Sequence, residues 1–320
     1  MIKVNKAEED GMEIKSLSGC VTEYAYAKIN TFLAVTGQRE NGYHELLSHM
    51  QALTLCDTLT MSWHPTCEGE FIVLLRCDAD SLPCDSSNLV VRAANALALD
   101  LAAKDISISG TLEIELEKRI PMAAGLAGGS ADAAATLRGF NTLLSQPLSI
   151  QELCTIGASL GADIPFCLLS EGHPAMAARG IGELLTPAVS LPDSCSLVVA
   201  CDGEGVSTPW AYRRLDEAGQ CSSPSFAEKA YTALSEALLS EKLSCIASHS
   251  YNCFESVVLP ERPAACALME YMTESGAIFA RMSGSGPSIV GYFDNATKAS
   301  DCVDALVSRG IRAYLTKPLR

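Results

Sequence analysis

Residues 21 to 35, VTEYAYAKINTFLAV, alternate along their length. Tyr24, Tyr26, Lys28, Asn30 and Phe32 fall on one face of an extended strand, and Ala25, Ala27, Ile29, Thr31 and Leu33 on the other, because successive strand side chains point to opposite sides. The first face is aromatic and polar, the second apolar. Residues 1 to 19 mix charges with little periodicity and read as a poorly ordered extension, so the fold is expected to begin near Cys20. Strand patterns recur at about 50 to 62, 70 to 76 and 106 to 117, the last being ISISGTLEIELE. Between them SSNLVVRAANALALDLAA opens with cap candidates and continues at helical spacing. Helices are predicted at about 130 to 145 and 149 to 160, the second preceded by Pro147 and Ser149 and stopped by Gly161. Short strands are predicted at 164 to 169 and 175 to 178.

The segment TPAVSLPDS at 186 to 194, rich in Pro and Ser, marks a domain junction. A second half follows: strand SLVVAC, helices near 208 to 216, 226 to 239 and 261 to 275, and strand AIFARM. The loop SGSGPS at 283 to 288, strand IVGYF, a helix at 296 to 308 and a last strand complete it. Helices and strands alternate without a regular β-α-β repeat, which favours a two-domain α+β architecture over a Rossmann or barrel fold. The expected division is an extension at 1–19, an N-terminal domain at 20–187 and a C-terminal domain at 188–320.

Composition narrows the function classes. At 320 residues and 48% apolar content the chain can bury substantial cores. With 38 acidic against 23 basic residues and a formal charge of -15, a nucleic-acid surface is not expected. Small anions could still bind locally through backbone N–H groups. No apolar run approaches the roughly 20 residues of a membrane span, and MIKVNKAEEDGMEIK carries charges where a secretory leader needs an apolar run. The expectation is a soluble, cytoplasmic protein without a membrane partner. None of the fourteen cysteines forms a C-x-x-C, and several sit in apolar runs, as Cys167 does in IPFCLL, which reads as reduced, buried thiols. The five histidines include no H-x-H or H-E-x-x-H pair, and nothing announces a hydrolytic triad.

The chemistry points instead to PMAAGLAGGSADAAAT at 121 to 136. Gly125, Gly128 and Gly129 let backbone N–H groups turn toward an anion, and Ser130 opens a helix whose N-terminal dipole favours negative charge. It is not a P-loop, since no Lys follows the last glycine, and the glycines do not fall as G-x-G-x-x-G. A plain strand-to-helix connection is the alternative. Lys28 in the alternating strand and Asp163 in GADIPF join it. Taken singly, Lys28 is a strand lysine, Asp163 an N-cap before Pro165, SGSGPS a hairpin turn and Tyr43 in NGYHEL a packing aromatic.

Together these pieces resemble the GHMP kinases, the superfamily of small-molecule kinases that includes galactokinase, homoserine kinase and mevalonate kinase. The resemblance runs from about 20 to 320 and is densest through 187, in AYAKINTFLAVTGQRENGYHELLSHMQAL, IPMAAGLAGGSADAA, GADIPFCL and ARGIGELLTP; VSTPWAY and MSGSGPSIVGYF carry it further. It implies a two-domain GHMP kinase fold, with an N-terminal ribosomal protein S5 domain 2-like half and a C-terminal ferredoxin-like α/β half. It implies ATP and Mg²⁺ as cofactors, with ATP held by Pro121, Ala124, Gly125, Ala127, Gly128, Gly129 and Ser130. Ser130 is the one metal contact it suggests. Asp163 would be the general base and Lys28 its partner. Asn30, Gly284, Ser285 and Gly286 would lie against the substrate. Within the superfamily the motifs are most similar to the branch that phosphorylates the 2-hydroxyl of a cytidine diphosphate-linked methylerythritol, on a route to isoprenoid precursors. There Tyr43 would stack on the cytosine, His44 would meet its hydrogen-bonding edge, and Tyr212 would cover the opposite face. Kinases of the homoserine or mevalonate type have no base to stack. A catalytically silent binding protein on this scaffold should have lost Lys28 or Asp163. Ala127 replaces a glycine common in the loop, and Ala131 and Asp132 stand where small polar residues are usual.

Overall fold

Two long antiparallel strands organise the molecule, β1 (Gly19–Gln38) and β2 (His44–Pro65). The computed structural model describes residues 18–201, 203 and 205–320, so the expectation of a poorly ordered extension at 1–19 lies outside the described residues for 1–17, while Gly19 already belongs to β1. β3 (Phe71–Cys77), α1 (Leu89–Ala102) and β4 (Gly110–Glu117) form a β-α-β unit, with β3 parallel to β4 and β4 antiparallel to the outer half of β2. Asn88 caps α1 by accepting from the Val90 N–H, as its cap-forming side chain predicts. Beyond the glycine loop come α2 (Gly128–Leu143), α3 (Ile150–Leu160), α4 (Ile164–Leu169), β5 (Ala175–Arg179) and β6 (Leu184–Pro187). Ser149 and Glu152 close a capping box at the start of α3.

The remaining elements are β7 (Ser196–Cys201), α5 (Thr208–Glu217), α6 (Pro224–Leu239), α7 (Leu243–His249), β8 (Tyr251–Asn252), α8 (Glu255–Val258), α9 (Pro263–Glu274), β9 (Phe279–Met282), β10 (Ile289–Phe293), α10 (Ala296–Ser308) and β11 (Arg312–Thr316). β7, α9, β9, β10, α10 and β11 make a β-α-β-β-α-β unit whose antiparallel sheet runs β11-β7-β10-β9, the ferredoxin-like order. Strand alternation splits this sheet cleanly. Leu197, Val199, Val290 and Tyr292 face a core shared with Ala27, Ile29 and Phe32 of β1. Val198, Ala200, Ile289 and Phe293 face the other way, onto Met272 and Leu268 of α9 and Leu306 of α10. β8, although late in the chain, pairs in parallel with β1 at Phe32 and Leu33. All fourteen thiols are free.

Two expectations need correction. Residues 164–169 are the helix α4, not a strand: Pro165 sits in its first turn, and the Cys167 N–H donates to the Asp163 carbonyl. A buried apolar run of six has no periodicity to separate the two states. In β1, Asn30 pairs with Met50 and Phe32 with His49, so β1 advances two residues while β2 advances one. That bulge inverts the facing of the residues after it, as far as a further register shift between Val35 and Gly37. Phe32 turns into the core beside Tyr231, and Leu33 takes its place on the face of Lys28 and Asn30.

His49, wholly buried on β2, places Nε2 2.9 Å from the Val189 carbonyl and so ties β2 to the connection before β7. Burial pushes its pKa down to about 4, the bond to Val189 opposing only in part. The unfolded chain, with an ordinary histidine near 6.5, therefore binds more protons than the native one between those values. Stability from His49 is complete above about pH 6.5 and is lost as pH falls toward about 4. Between pH 7 and pH 5 urea unfolding should show a loss about 2 kcal/mol larger in the wild type than in His49→Gln. Equal losses would show that His49 does not titrate on unfolding.

Candidate active site

A cleft of about 1020 Å³ runs between the glycine loop, the start of β2 and α5. Lys28 lies on its floor, only 5% exposed. Its Nζ donates to Asn30 Oδ1 at 2.9 Å and stands 3.6 Å from Asp163 Oδ2. Asn30 Nδ2 donates to Ser48 Oγ at 2.8 Å, and Ser48 Oγ to the Phe32 carbonyl at 2.7 Å. A chain of hydrogen bonds thus fixes the amide so that its oxygen faces the ammonium. Asp163 occupies the N-cap position of α4, but its side chain makes no capping bond and is 37% exposed. The carboxylate turns to Lys28 and the cleft instead.

The glycine loop is bound to the same strand, the Lys28 N–H donating to the Leu126 carbonyl at 3.1 Å. Ala127 heads α2 in the left-handed region (φ 56°) with no side chain to cap the helix, so the first-turn N–H groups open toward the cleft. Ala123 (φ 50°) shares that conformation, which costs a non-glycine residue about 1 kcal/mol, and such strain gathers at functional sites. The loop touches 283–286 across the cleft: Ser283 Oγ donates to the Gly125 carbonyl at 2.9 Å. At Gly125 (φ 76°) a Cβ would lie 2.1 Å from the Ser283 carbonyl oxygen.

Behind the loop lies a buried charge cluster that the sequence reading did not find. Lys118 Nζ donates to Asp57 Oδ2 and, at 2.7 Å, to Asp132 Oδ2. Asp57 Oδ1 also accepts from the N–H groups of Arg119 and Ile120, which sets the path into the loop. Burial beside Asp57 pushes the Asp132 carboxyl up to about 7 against the pull of Lys118. Burial alone would lower the Lys118 ammonium, but the two carboxylates more than offset it. Asp132 Oδ1 is buried without a hydrogen-bond partner among the described residues, and both Lys118 and Asp132 line the cleft. Lys118 sits three residues before Pro121 in EKRIPM, so adjacency to the loop was the available signal.

At the other end, residues 39–43 form the turn between β1 and β2, closed by the Arg39 N–H donating to the Tyr43 carbonyl at 2.7 Å. Tyr43 is 60% exposed. The His44 ring stacks on Tyr212 of α5 with centroids 4.5 Å apart, and its Nε2 meets both Asp216 oxygens, at 2.9 and 3.0 Å. Tyr212 rests edge-on against Phe254 at 4.9 Å.

The family models named GHMP kinases N terminal domain and GHMP kinases C terminal match residues 88–171 and 227–312. A 4-diphosphocytidyl-2-C-methyl-D-erythritol kinase of Gloeobacter violaceus is 37% identical over 92% of this chain and 92% of its own. Its counterpart in Clostridium kluyveri is 36% identical over 92% of this chain and 98% of its own. The chain belongs to the 4-diphosphocytidyl-2-C-methyl-D-erythritol kinase family of GHMP kinases. A crystal structure of a 4-(cytidine 5'-diphospho)-2C-methyl-D-erythritol kinase superposes with a TM-score of 0.73 at 32% identity, covering 92% of this chain and 98% of that one. Homoserine kinase from Cytophaga hutchinsonii reaches 0.70 at 16% identity over 99% and 98%, a likeness of fold alone. The chain is accordingly an ATP-dependent small-molecule kinase, and among its described residues no helix is long and apolar enough to cross a membrane.

In this GHMP kinase the residues expected from sequence mostly meet in one cleft. Lys28, Asn30, Tyr43, His44, Pro121, Ala124, Gly125, Ala127, Gly128, Gly129, Ser130, Asp163, Tyr212, Gly284 and Ser285 all line it. Gly286 does not; its N–H donates back to the Ser283 carbonyl, and it shapes the turn from behind. Tyr24 and Tyr26, expected on the face of Lys28, lie outside the cleft with their rings 6.3 Å apart. Asp216 was missed because helical spacing alone does not mark a residue as facing a cleft, and Phe254 because it lies in a turn before α8 that carries no periodic signal.

Gly125→Ala should lower Tm by several degrees, because its Cβ meets backbone that cannot move aside cheaply. Gly129→Ala meets only Leu89 Cδ1, at 3.5 Å, and should fold with an unchanged Tm while binding an ATP analogue about 10-fold more weakly. Calorimetry and titration of both variants check the pair; unchanged analogue binding in Gly129→Ala would move the phosphate away from this loop.

Proposed function

We propose that the chain transfers the γ-phosphoryl group of ATP to the 2-hydroxyl of 4-diphosphocytidyl-2-C-methyl-D-erythritol, giving the 2-phosphate and ADP. One observation carries the reading: an uncapped helix start, a Lys–Asp pair and an aromatic–imidazole turn line a single cleft. Phosphoryl transfer asks the protein mainly for positioning and charge neutralisation. The N–H groups of 128–130 face the triphosphate. Asp163 accepts the proton of the 2-hydroxyl as that oxygen attacks phosphorus. Lys28, 3.6 Å away, orients the carboxylate and the alcohol.

The residues present fit a divalent cation carried in on nucleotide phosphates better than a protein-built metal site, since no cluster of three His, Cys, Asp or Glu exists among the described residues. Ser130, whose hydroxyl has no hydrogen-bond partner among the described residues and which lies near Gly161, and Asp132 Oδ1, likewise unpartnered among them, would face the ion. Mg²⁺ supplies neutralisation of the phosphate oxygens when bound. At the far end the exposed Tyr43 ring stacks on cytosine and His44 reads its edge, while Tyr212 braces His44.

ADP formation measured with ATP, Mg²⁺ and each candidate alcohol tests the substrate. Turnover of the cytidine compound is expected; turnover of only homoserine or mevalonate would end this reading. Asp163→Asn should lower kcat by about 10² to 10⁴ with nucleotide binding near normal, and a variant keeping more than about a third of wild-type kcat would remove Asp163 from the base role. Tyr43→Ala should raise KM for the cytidine substrate roughly 5-fold to 150-fold, leave KM for ATP little changed, and be mimicked by no effect of Tyr43→Phe. A rise confined to KM for ATP would exchange the two pockets.

A further inference from the structure

Asp216 lies four residues after Tyr212 on α5, so both project from the same helix face. Tyr212 supplies the surface on which the His44 ring lies, and Asp216 supplies a carboxylate that meets Nε2 with both oxygens. The imidazole is thereby fixed in plane and in rotation, with its side chain 9% exposed. Its other nitrogen, Nδ1, has no hydrogen-bond partner among the described residues, and the ring lines the cleft. The remaining neighbour of the carboxylate is the Cys221 thiol, 3.9 Å from Oδ1, also a donor.

We infer that Asp216 is a positioning residue that sets the tautomer of His44 and thereby selects cytosine over uracil. An ionised carboxylate can only accept, so the nitrogen it faces must carry the proton. In the neutral ring Nδ1 is then a lone-pair acceptor. Cytosine presents an amino donor at its 4-position, and uracil a carbonyl at the same place. An acceptor at Nδ1 pairs with the first and opposes the second, and a buried polar group left facing another acceptor loses its hydrogen bond and pays full desolvation. Fixing a ring nitrogen's role through the partner of the other nitrogen is the means by which metal-site carboxylates orient their histidines. The inference rests on the reading of the site as cytidine-binding.

The test compares kcat/KM for the cytidine substrate and its uridine counterpart in the full chain. The wild type should prefer cytidine by about 10-fold or more. In Asp216→Asn the amide can present either its oxygen or its NH₂, so neither tautomer is imposed; the preference should fall to within about 3-fold, through KM for the base-bearing substrate and not through kcat or KM for ATP. Nitrogen-15 spectra of the wild type should show His44 protonated at Nε2 and bare at Nδ1, and they decide the question even if the variant does not fold. A preference retained in Asp216→Asn, or a protonated Nδ1, overturns the inference. If the wild type uses neither compound, or His44→Ala leaves KM for the cytidine compound unchanged, the cytidine reading itself fails. If cytidine is used and His44→Ala raises its KM while Asp216→Asn keeps the preference, only the role of Asp216 falls.

Discussion

Lys28, only 5% exposed on β1, places an ammonium that sets the terms for the rest of the site. Such a charge is costly out of water unless it is paired and hydrogen-bonded. Lys28 meets that demand with one amide oxygen and one carboxylate, each held from a different element. The amide can serve only because Ser48 on β2 fixes its NH₂ group. Ser48 in turn donates to the carbonyl of Phe32, just past the bulge. Bulge, serine, amide and ammonium form one continuous structure, and Asp163, 37% exposed, is its most solvent-accessible partner in the cleft.

The same logic repeats behind the glycine loop, where the Lys118 ammonium is held between Asp57 and Asp132. One cation against two buried carboxylates leaves an uncompensated negative charge unless one acid holds a proton, which is why burial drives Asp132 upward. Asp57 accepts from the backbone at 119 and 120 and so anchors the chain entering the loop, while Asp132 anchors the helix leaving it. The loop is clamped at both ends and bonded at Leu126 to Lys28. Strain at Ala123 and Ala127 is tolerable because the ends cannot relax it away.

Much of this was legible in the sequence. Glycines at 125, 128 and 129, the α1 and α3 caps and the alternating strands follow from residue types whose local preference agrees with their final environment, whereas the pairing of Lys28 with Asp163 was implied by the family resemblance alone. What failed did so where tertiary context overrode a local pattern. Alternation at 21–35 carries no mark of the bulge at Thr31, so Phe32 and Leu33 exchanged faces. IPFCLL is apolar on every side as a helix and would be so as a strand. Tyr212 does line the cleft, and its ring stacks on His44, a contact between the two halves of the chain that no local pattern marks. The departures from the family pattern were partly explained: Ala127 adopts the left-handed backbone a glycine would reach without strain, and Asp132 closes the Lys118 cluster.

Both halves of the chain contribute to each end of the cleft, which couples folding to function. Two residues of β8 pair with β1 at the bulge, and from there Asn252 donates to the carbonyls of Met282 and Gly284. The loop that meets Gly125 is therefore hung from the first sheet through a strand supplied by the second half. Leu197, Val199 and Tyr292 share a core with Ala27, Ile29 and Phe32. The strand that buries Phe32 on one face carries Lys28 on the other. Separating the halves would expose that core and break the β8–β1 pairing at once, so large opening between them is opposed by hydrophobic burial. The exposed turn at 39–43 has no such constraint. It is held mainly by Arg39, which donates to Glu45 at 2.6 Å and faces Glu183 at 3.6 Å, and by the His44 contacts with α5. Displacing this turn would break only those contacts and leave the Lys28–Asp163 pair and the glycine-loop bonds in place.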